Sequence, residues 1–136
     1  MSEMLYIYLF HIQMEEQKFV SISEIKQWLL KTFPEVLKHT SKKCLILGDP
    51  KTYTYTSQKL MPRDVEVNEY LHRVALMWRL KAVQFPEGCE CSHLCGNKGC
   101  ANPKHLHAEP HGINMTRKVC HKKKRKSCTK HIPKCI

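Results

Sequence analysis

An α+β domain whose C-terminal half is organised by metal is the fold this sequence predicts, and three observations predict it. Helical and strand-like hydrophobic patterns follow one another up to about Gly88. Beyond Gly88 that periodicity fades, and Cys, His, Asn, Gly and Lys crowd the chain. Within the crowded stretch, cysteines and histidines recur at intervals suited to zinc ligands. A segment of this kind cannot fold by burying apolar side chains and needs another cross-link. At 136 residues the chain holds one domain's worth of core, and cores this small are often supplemented in that way.

Residues 4–12 are rich in aromatic and β-branched side chains and suit either a buried strand or a short helix. Ser21 and Glu24 fit a capping box that opens a helix. Ile22, Ile25, Trp28, Leu29 and Phe33 follow at helical spacing until Pro34 stops the run. Residues 44–48 read as a short strand closed by a Gly48-Asp49-Pro50 turn, and residues 51–59, alternating Thr and Tyr, as a second strand. Asp64 is the expected cap of a helix whose apolar face is Val67, Tyr70, Leu71, Val74, Met77 and Trp78. That helix should run to about Val83, before Phe85-Pro86-Glu87-Gly88 breaks it. His72, on or beside its buried stripe, is expected to be packed rather than to bind a ligand. Residues 1–43 are thus an N-terminal strand and helix extension and 44–136 the metal-organised domain, in one compact unit.

Charge and cysteine usage narrow the function. Lys and Arg number 23 against 12 Asp and Glu, a formal charge of +11. Such an excess favours a polyanionic partner, because neutralised phosphates release condensed counterions; a solvated basic surface is the plainer reading. The eight cysteines could form a disulfide framework. Neither a basic n-region nor a small-residue cleavage site opens the chain, however, so an intracellular, reducing compartment is expected, where thiols bind metal. Nine histidines accompany them. The apolar residues 4–10 fall well short of the about 20 that a membrane span needs, so no membrane partner is expected.

Two ligand groups follow from spacing. The first is Cys95-x4-Cys100-x4-His105. Tetrahedral zinc requires a fourth ligand, and Cys44, Cys89 and Cys91 are the candidates. Cys89 and Cys91 are near in sequence; Cys44 would tie the preceding strand to this loop. The second group, Cys120-x7-Cys128-x2-His131-x3-Cys135, is complete in itself. Both groups close a zinc ion with protein ligands, which predicts two structural zinc ions that support folding.

The stretch running Ser92-His93-Leu94-Cys95, then Cys100, Asn102, Pro103, His105 and Leu106, with Asn114 and Cys120 beyond, resembles the His-Cys box homing endonucleases. These belong to the wider His-Me finger (ββα-metal) nucleases. The resemblance is dense from Cys91 to Cys135, fainter from Cys44 to Trp78, and nearly nil over residues 1–40. It implies a small zinc-stabilised ββα-metal domain carrying an N-terminal extension, and a metal-dependent DNA endonuclease activity. It implies further that His93 is the general base that activates water and that Asn114 holds one catalytic divalent cation such as Mg²⁺. Cys44 would be the distant fourth ligand of the first zinc, and the Cys120, Cys128, His131 and Cys135 set the second. A cation near the scissile phosphate is also implied, with Lys59 and Arg63 the nearest choices for contact with DNA.

The same residues make chemical sense on their own. Phosphodiester hydrolysis needs a water deprotonated in line with the leaving oxygen and a means of absorbing charge on the phosphate. A neutral imidazole can take the proton. A hard cation can bridge the phosphate oxygens while keeping most of its own waters, and a carboxamide oxygen anchors it without neutralising it. Read singly, His93 could instead be a further zinc ligand or a surface residue, and Asn114 a helix cap near Gly112.

Residues 122–126, Lys-Lys-Lys-Arg-Lys, could grip phosphates, serve as a nuclear address or simply be solvated. Tyr53 and Tyr55, with Lys51 and Lys59, lie on a strand that could enter the major groove of DNA. The sequence stops at Ile136, without the C-terminal tail through which the dimeric homing enzymes it resembles exchange contacts, which weighs against a homodimer and leaves a nicking monomer open. Two other function classes need fewer parts. A non-catalytic zinc-dependent DNA-binding or regulatory module needs only the zinc sites and the charge, and a zinc-bound protein-interaction module only the zinc.

Overall fold

The computed structural model describes residues 17–123 and 128–136. The reading of residues 4–12, and Lys124 to Lys126 of the basic run, therefore lie outside the described residues. The first helix, α1 (Ile22–Thr32), forms where the capping residues predict it: the Ser21 hydroxyl accepts from the Glu24 amide at 3.2 Å. The Glu24 carboxylate reaches back to the Val20 amide at 3.0 Å, one residue earlier than a capping box places it. Pro34 then starts a short helix, α2 (Glu35–Lys38).

Two antiparallel strand pairs follow. Strands β1 (Tyr55–Leu60) and β2 (Val65–Tyr70) form a hairpin with Tyr55 opposite Tyr70 and Leu60 opposite Val65. Helix α3 (Leu71–Leu80) continues directly from β2 and ends at Lys81 in the left-handed conformation. Strands β3 (Glu90–His93) and β4 (Leu106–Glu109) form the second pair, separated by a loop and the 3-10 turn Pro103–His105. Helix α4 (His111–Lys122) closes the strand–strand–helix unit.

Three expectations need correction. Asp64 does not cap a helix; it sits at φ 58 in the β1–β2 turn, and residues 65–70 are extended. The physical reason is alternation: Val67 and Glu69 are buried while Glu66, Asn68 and Tyr70 face out. Helical period sets in only at Leu71, where Leu71, Val74, Ala75 and Leu76 are buried. Residues 44–48 are not a strand but contribute one isolated bridge, Ile46 to Cys100. The expected strand over 51–59 begins four residues later, at Tyr55, after a turn.

A single apolar cluster joins these parts. It includes Phe19, Ile25, Trp28 and Leu29 from the N-terminal segment, Leu60 and Val67 from the hairpin, Leu71, Val74 and Leu76 from α3, and Cys91 and Leu106 from the second strand pair. Trp28, fully buried, donates its indole N–H to the Val67 carbonyl at 3.0 Å and so fastens α1 to the hairpin. Arg63 leaves the turn to form a paired contact with the buried Glu24 carboxylate, both N···O distances 2.7 Å. Residues 19–29 and the rest thus share one core. Among the described residues no helix is long and apolar enough to cross a membrane.

Candidate active site and zinc centres

The 3-10 turn and the residues leading into it hold the Cys44 segment against the loop between β3 and β4. The agent is Asn102, wholly buried, whose amide donates to the carbonyls of Ser41 (3.1 Å) and Lys43 (2.7 Å) while its Oδ1 accepts from Lys104 N–H. Cys44 thereby reaches Cys95, Cys100 and His105, and the four ligand atoms lie within 4.8 Å of one another. His105 Nδ1 is 3.6 Å from the sulfurs of both Cys44 and Cys100. A tetrahedron with Zn–S near about 2.3 Å and Zn–N near about 2.0 Å has S···N edges of about 3.5 Å. The other ring nitrogen, Nε2, donates to the Lys42 carbonyl at 2.7 Å, which leaves the Nδ1 lone pair for metal.

Cys91, an alternative fourth ligand by spacing, is elsewhere. It is buried in the apolar cluster, burial pushes its thiol well above the usual range, and its Sγ donates to the His72 carbonyl at 3.7 Å. Cys89 packs against that cluster too.

The second set, Cys120, Cys128, His131 and Cys135, also gathers its ligand atoms within 4.8 Å. The Thr116 hydroxyl donates to the Ile113 carbonyl at 2.6 Å, so it accepts from His131 Nε2–H at 2.8 Å. His131 Nδ1 is left facing the sulfurs of Cys128 and Cys135, at 3.1 and 3.5 Å. Buried Arg117 makes a two-pronged pair with Glu109 of β4 and donates to the Pro133 carbonyl at 2.7 Å and to the Cys135 sulfur at 3.6 Å, clamping this loop onto the strand pair. Both sets are closed by three thiols and one imidazole, and each fits a structural zinc ion.

A cleft of about 160 Å³ is lined by Tyr53, Cys91, His93, Gly96 and Lys98, with Asn114, Arg117, Lys118 and His121 on its α4 side. His93 and Asn114 therefore open on one space. His93 ends β3, and its Nε2 lies 3.1 Å from the Cys100 carbonyl oxygen. A carbonyl only accepts, so Nε2 carries the proton and Nδ1 the lone pair. The ring is boxed by aromatics: His72 stands 4.9 Å away and Tyr53 5.8 Å, while Tyr53 and His72 stack at 4.9 Å. Burial lowers the pKa of His93, and it pushes His72 down to about 3, with the charges of His93 and Arg73 adding to the effect. Both rings are held neutral. His72 is packed, as its place on the stripe predicts.

Gly96 has φ +73, and a Cβ there would meet the His121 ring at 2.7 Å. The missing Cβ leaves room for that ring, whose Nε2 donates to the Leu94 carbonyl at 2.7 Å, tying α4 to the residue after His93. Asn114 sits one turn into α4, where it shares a face with His111 and Lys118. Its amide donates to Glu90 at 2.5 Å.

A family model described as the zinc-binding loop region of homing endonuclease matches residues 40–136. The chain belongs to that family. No curated protein and no solved structure gives a match. In this homing-endonuclease zinc region the matched span takes in both ligand sets, His93 and Asn114.

The two cations singled out for DNA contact stand apart from the cleft. Arg63 is engaged by Glu24 and by the Lys18 carbonyl, and Lys59 pairs with Asp64 at 2.9 Å on the exposed hairpin. Lys98 and Lys118 are the lysines that line the cleft. Sequence reasoning placed Asn102 in the motif without a role and did not single out Arg117 or Glu90. Only the i, i+3 relation of His111, Asn114 and Arg117 hinted that one helical face would meet the strands.

Proposed function

We propose that this chain is a metal-dependent DNA endonuclease of the His-Me finger type, with His93 as general base and Asn114 as the protein ligand of a catalytic divalent cation. The observation that carries the reading is the cleft shared by His93 and Asn114, in a homing-endonuclease family member with two zinc-type ligand sets. Family membership and the formal charge of +11 both support DNA as the partner.

In this reading His93 Nδ1 takes the proton of a water aligned on a backbone phosphate. The new imidazolium keeps its Nε2–H on the Cys100 carbonyl, so the ring neither rotates nor loses its tautomer. Tyr53 and His72 wall off the ring and help keep it neutral before attack. Lys98 and Lys118 draw the phosphate backbone to the cleft. The cleft fits a hard ion, since Asn114 offers a neutral oxygen and the space leaves room for the waters that Mg²⁺ retains. Bound there, the cation would supply positive charge to the phosphate and leaving oxygen.

Nicking of supercoiled plasmid in Mg²⁺, with zinc content measured alongside, tests the proposal. Wild type should nick, and His93→Ala with its zinc intact should be slower by about 10²–10⁴-fold, the range for losing a general base. Salt-sensitive DNA binding without nicking in any divalent metal would make the chain a zinc-dependent DNA-binding module instead.

A further inference from the structure

We infer that Glu90 is a positioning residue that sets which end of the Asn114 carboxamide faces the cleft, with His111 steadying Glu90 in turn. This rests on the reading of Asn114 as a cation ligand. A carboxamide is ambiguous: rotated by half a turn, it presents NH₂ where it had presented oxygen, and an NH₂ group repels a cation. Something must break the symmetry. An ionised carboxylate only accepts hydrogen bonds, so beside Asn114 it draws the NH₂ group to itself and turns Oδ1 away.

Glu90 stands where this requires. It is the first residue of β3, opposite Glu109 in the strand pair, and the strand and α4 converge there. Asn114 Nδ2 donates to Glu90 Oε1 at 2.5 Å. His111 Nδ1 lies 3.1 Å from both Oε1 and Oε2, bridging the carboxylate edge from one turn earlier on the same helical face. The Asn114 side chain is half-buried and lines the cleft with His93, whereas Glu90 is not among the cleft residues. The carboxylate therefore sits behind the amide. A negative charge on the amide's N–H side also polarises the C=O, strengthening Oδ1 as a donor to a hard cation.

The test measures Mn²⁺ binding to the full-length, zinc-loaded protein by loss of the free Mn²⁺ resonance signal, and in parallel the Mg²⁺ dependence of plasmid nicking. Glu90→Ala should weaken Mn²⁺ binding by about 10- to 100-fold, as loss of an outer-shell partner does. It should raise the Mg²⁺ needed for half-maximal nicking by a similar factor, with the rate at saturating Mg²⁺ largely recovered. Glu90→Gln, whose carbonyl can still accept from the amide, should retain most of the affinity. In an Asn114→Ala background, adding Glu90→Ala should change Mn²⁺ binding no further.

Wild-type affinity in Glu90→Ala would overturn the inference. So would an equal loss in the Asn114→Ala background, since Glu90 would then act by charge at a distance and not through the amide. If Asn114→Ala binds Mn²⁺ like wild type, the cation-ligand reading of Asn114 falls and this inference falls with it. If Asn114→Ala is weakened and Glu90→Ala is not, only the positioning role is lost. Zinc content at the wild-type level in each variant separates these outcomes from misfolding.

Discussion

The Nε2 of His93 lies 3.1 Å from the carbonyl oxygen of Cys100, so the candidate base is oriented by the backbone of a residue in the first zinc-type set. Leu94 N–H, next along the chain, donates to the His105 carbonyl at 2.7 Å. The ring of His93 is thus fixed by the loop that the Cys44, Cys95, Cys100 and His105 set closes. Loop closure and base orientation are one structural fact.

Losing the first zinc should therefore silence cleavage even though none of its four ligands lines the cleft. Cys44→Ser is the cleanest change, because Cys44 is exposed and contributes little to the apolar core. Zinc per chain should fall from two to one by metal analysis. Plasmid nicking in Mg²⁺ should drop by at least about 10²-fold, the scale of a misplaced catalytic group. Full activity with one zinc would show that the base is held without the metal.

Much of the site was legible because its groups are close in sequence. The second ligand set is complete between Cys120 and Cys135, and His93 precedes Cys95 by two residues. What could not be read depends on packing between distant segments. Spacing alone left the fourth ligand open among Cys44, Cys89 and Cys91, and the resemblance chose Cys44. The contacts that bring it there, from Asn102 to the Ser41 and Lys43 carbonyls and from His105 to the Lys42 carbonyl, are encoded by no spacing rule. Residues 65–70 were misread because Val67, Tyr70, Leu71 and Val74 fit a helical face as well as they fit a strand followed by a helix. The decisive signal was the burial of Glu69, a carboxylate that an amphipathic pattern assigns to solvent. The contact of Glu90 with Asn114 needs β3 and α4 to be side by side, which sequence order alone does not supply.

Thr116 is expected to tune the second zinc centre. Its hydroxyl donates to the Ile113 carbonyl and accepts from His131 Nε2–H, which fixes the tautomer that bares Nδ1. Thr116→Val keeps the shape and removes the acceptor. Zinc should leave this variant's weaker site at about 10- to 100-fold lower chelator concentration than in wild type, read with a chromophoric chelator. An unchanged release profile would show that the thiols and the loop alone set the affinity.

The pairing of Glu24 with Arg63 predicts a pH-dependent share of stability. Hydrogen bonds from Arg63 hold the Glu24 carboxyl below its ordinary range, against the opposing effect of burial. A depressed folded pKa means that the contribution is fully present above the unfolded value of about 4.3 and fades as pH falls through the lower folded value. Glu24→Gln should cost roughly 1.5–3 kcal/mol at pH 7, the range for hydrogen bonds to a charged group. Acid also protonates the zinc-binding thiols, so the measurement is the wild-type minus Glu24→Gln difference in denaturant midpoint. That difference should shrink below pH 4.3, and a constant difference would refute the linkage.

Trp28 should matter to the zinc-bearing half although it lies in the N-terminal extension. Its ring is fully buried among Ile25, Leu29, Val67 and Val74, and its N–H serves the Val67 carbonyl. Trp28→Phe removes that donor and leaves a void beside β2. A loss of roughly 1–3 kcal/mol is expected in zinc-saturated protein, measured by denaturant unfolding. One cooperative transition, shifted as a whole, is the outcome that a shared core requires. Two separate transitions, with only the first moved, would mean that residues 19–29 fold as a unit apart from the zinc-bearing segment.

Lys118 offers a test of how DNA meets the cleft. It stands one helical turn beyond Asn114, is exposed, and lines the same space as His93. A lysine in that place neutralises a phosphate without reading a base. Lys118→Ala should weaken binding to unrelated duplex sequences by a similar factor and reduce the slope of log K against log salt by about one. Lys59→Ala, on the hairpin and already paired with Asp64, should change the slope less if DNA is gripped chiefly at the cleft. The reverse order, with Lys59 dominant, would move the main phosphate contact to the β1–β2 hairpin and leave Lys118 a role confined to the scissile phosphate. Fluorescence anisotropy of labelled duplexes across a salt series separates the two geometries, because it reads binding independently of cleavage when Ca²⁺ replaces Mg²⁺.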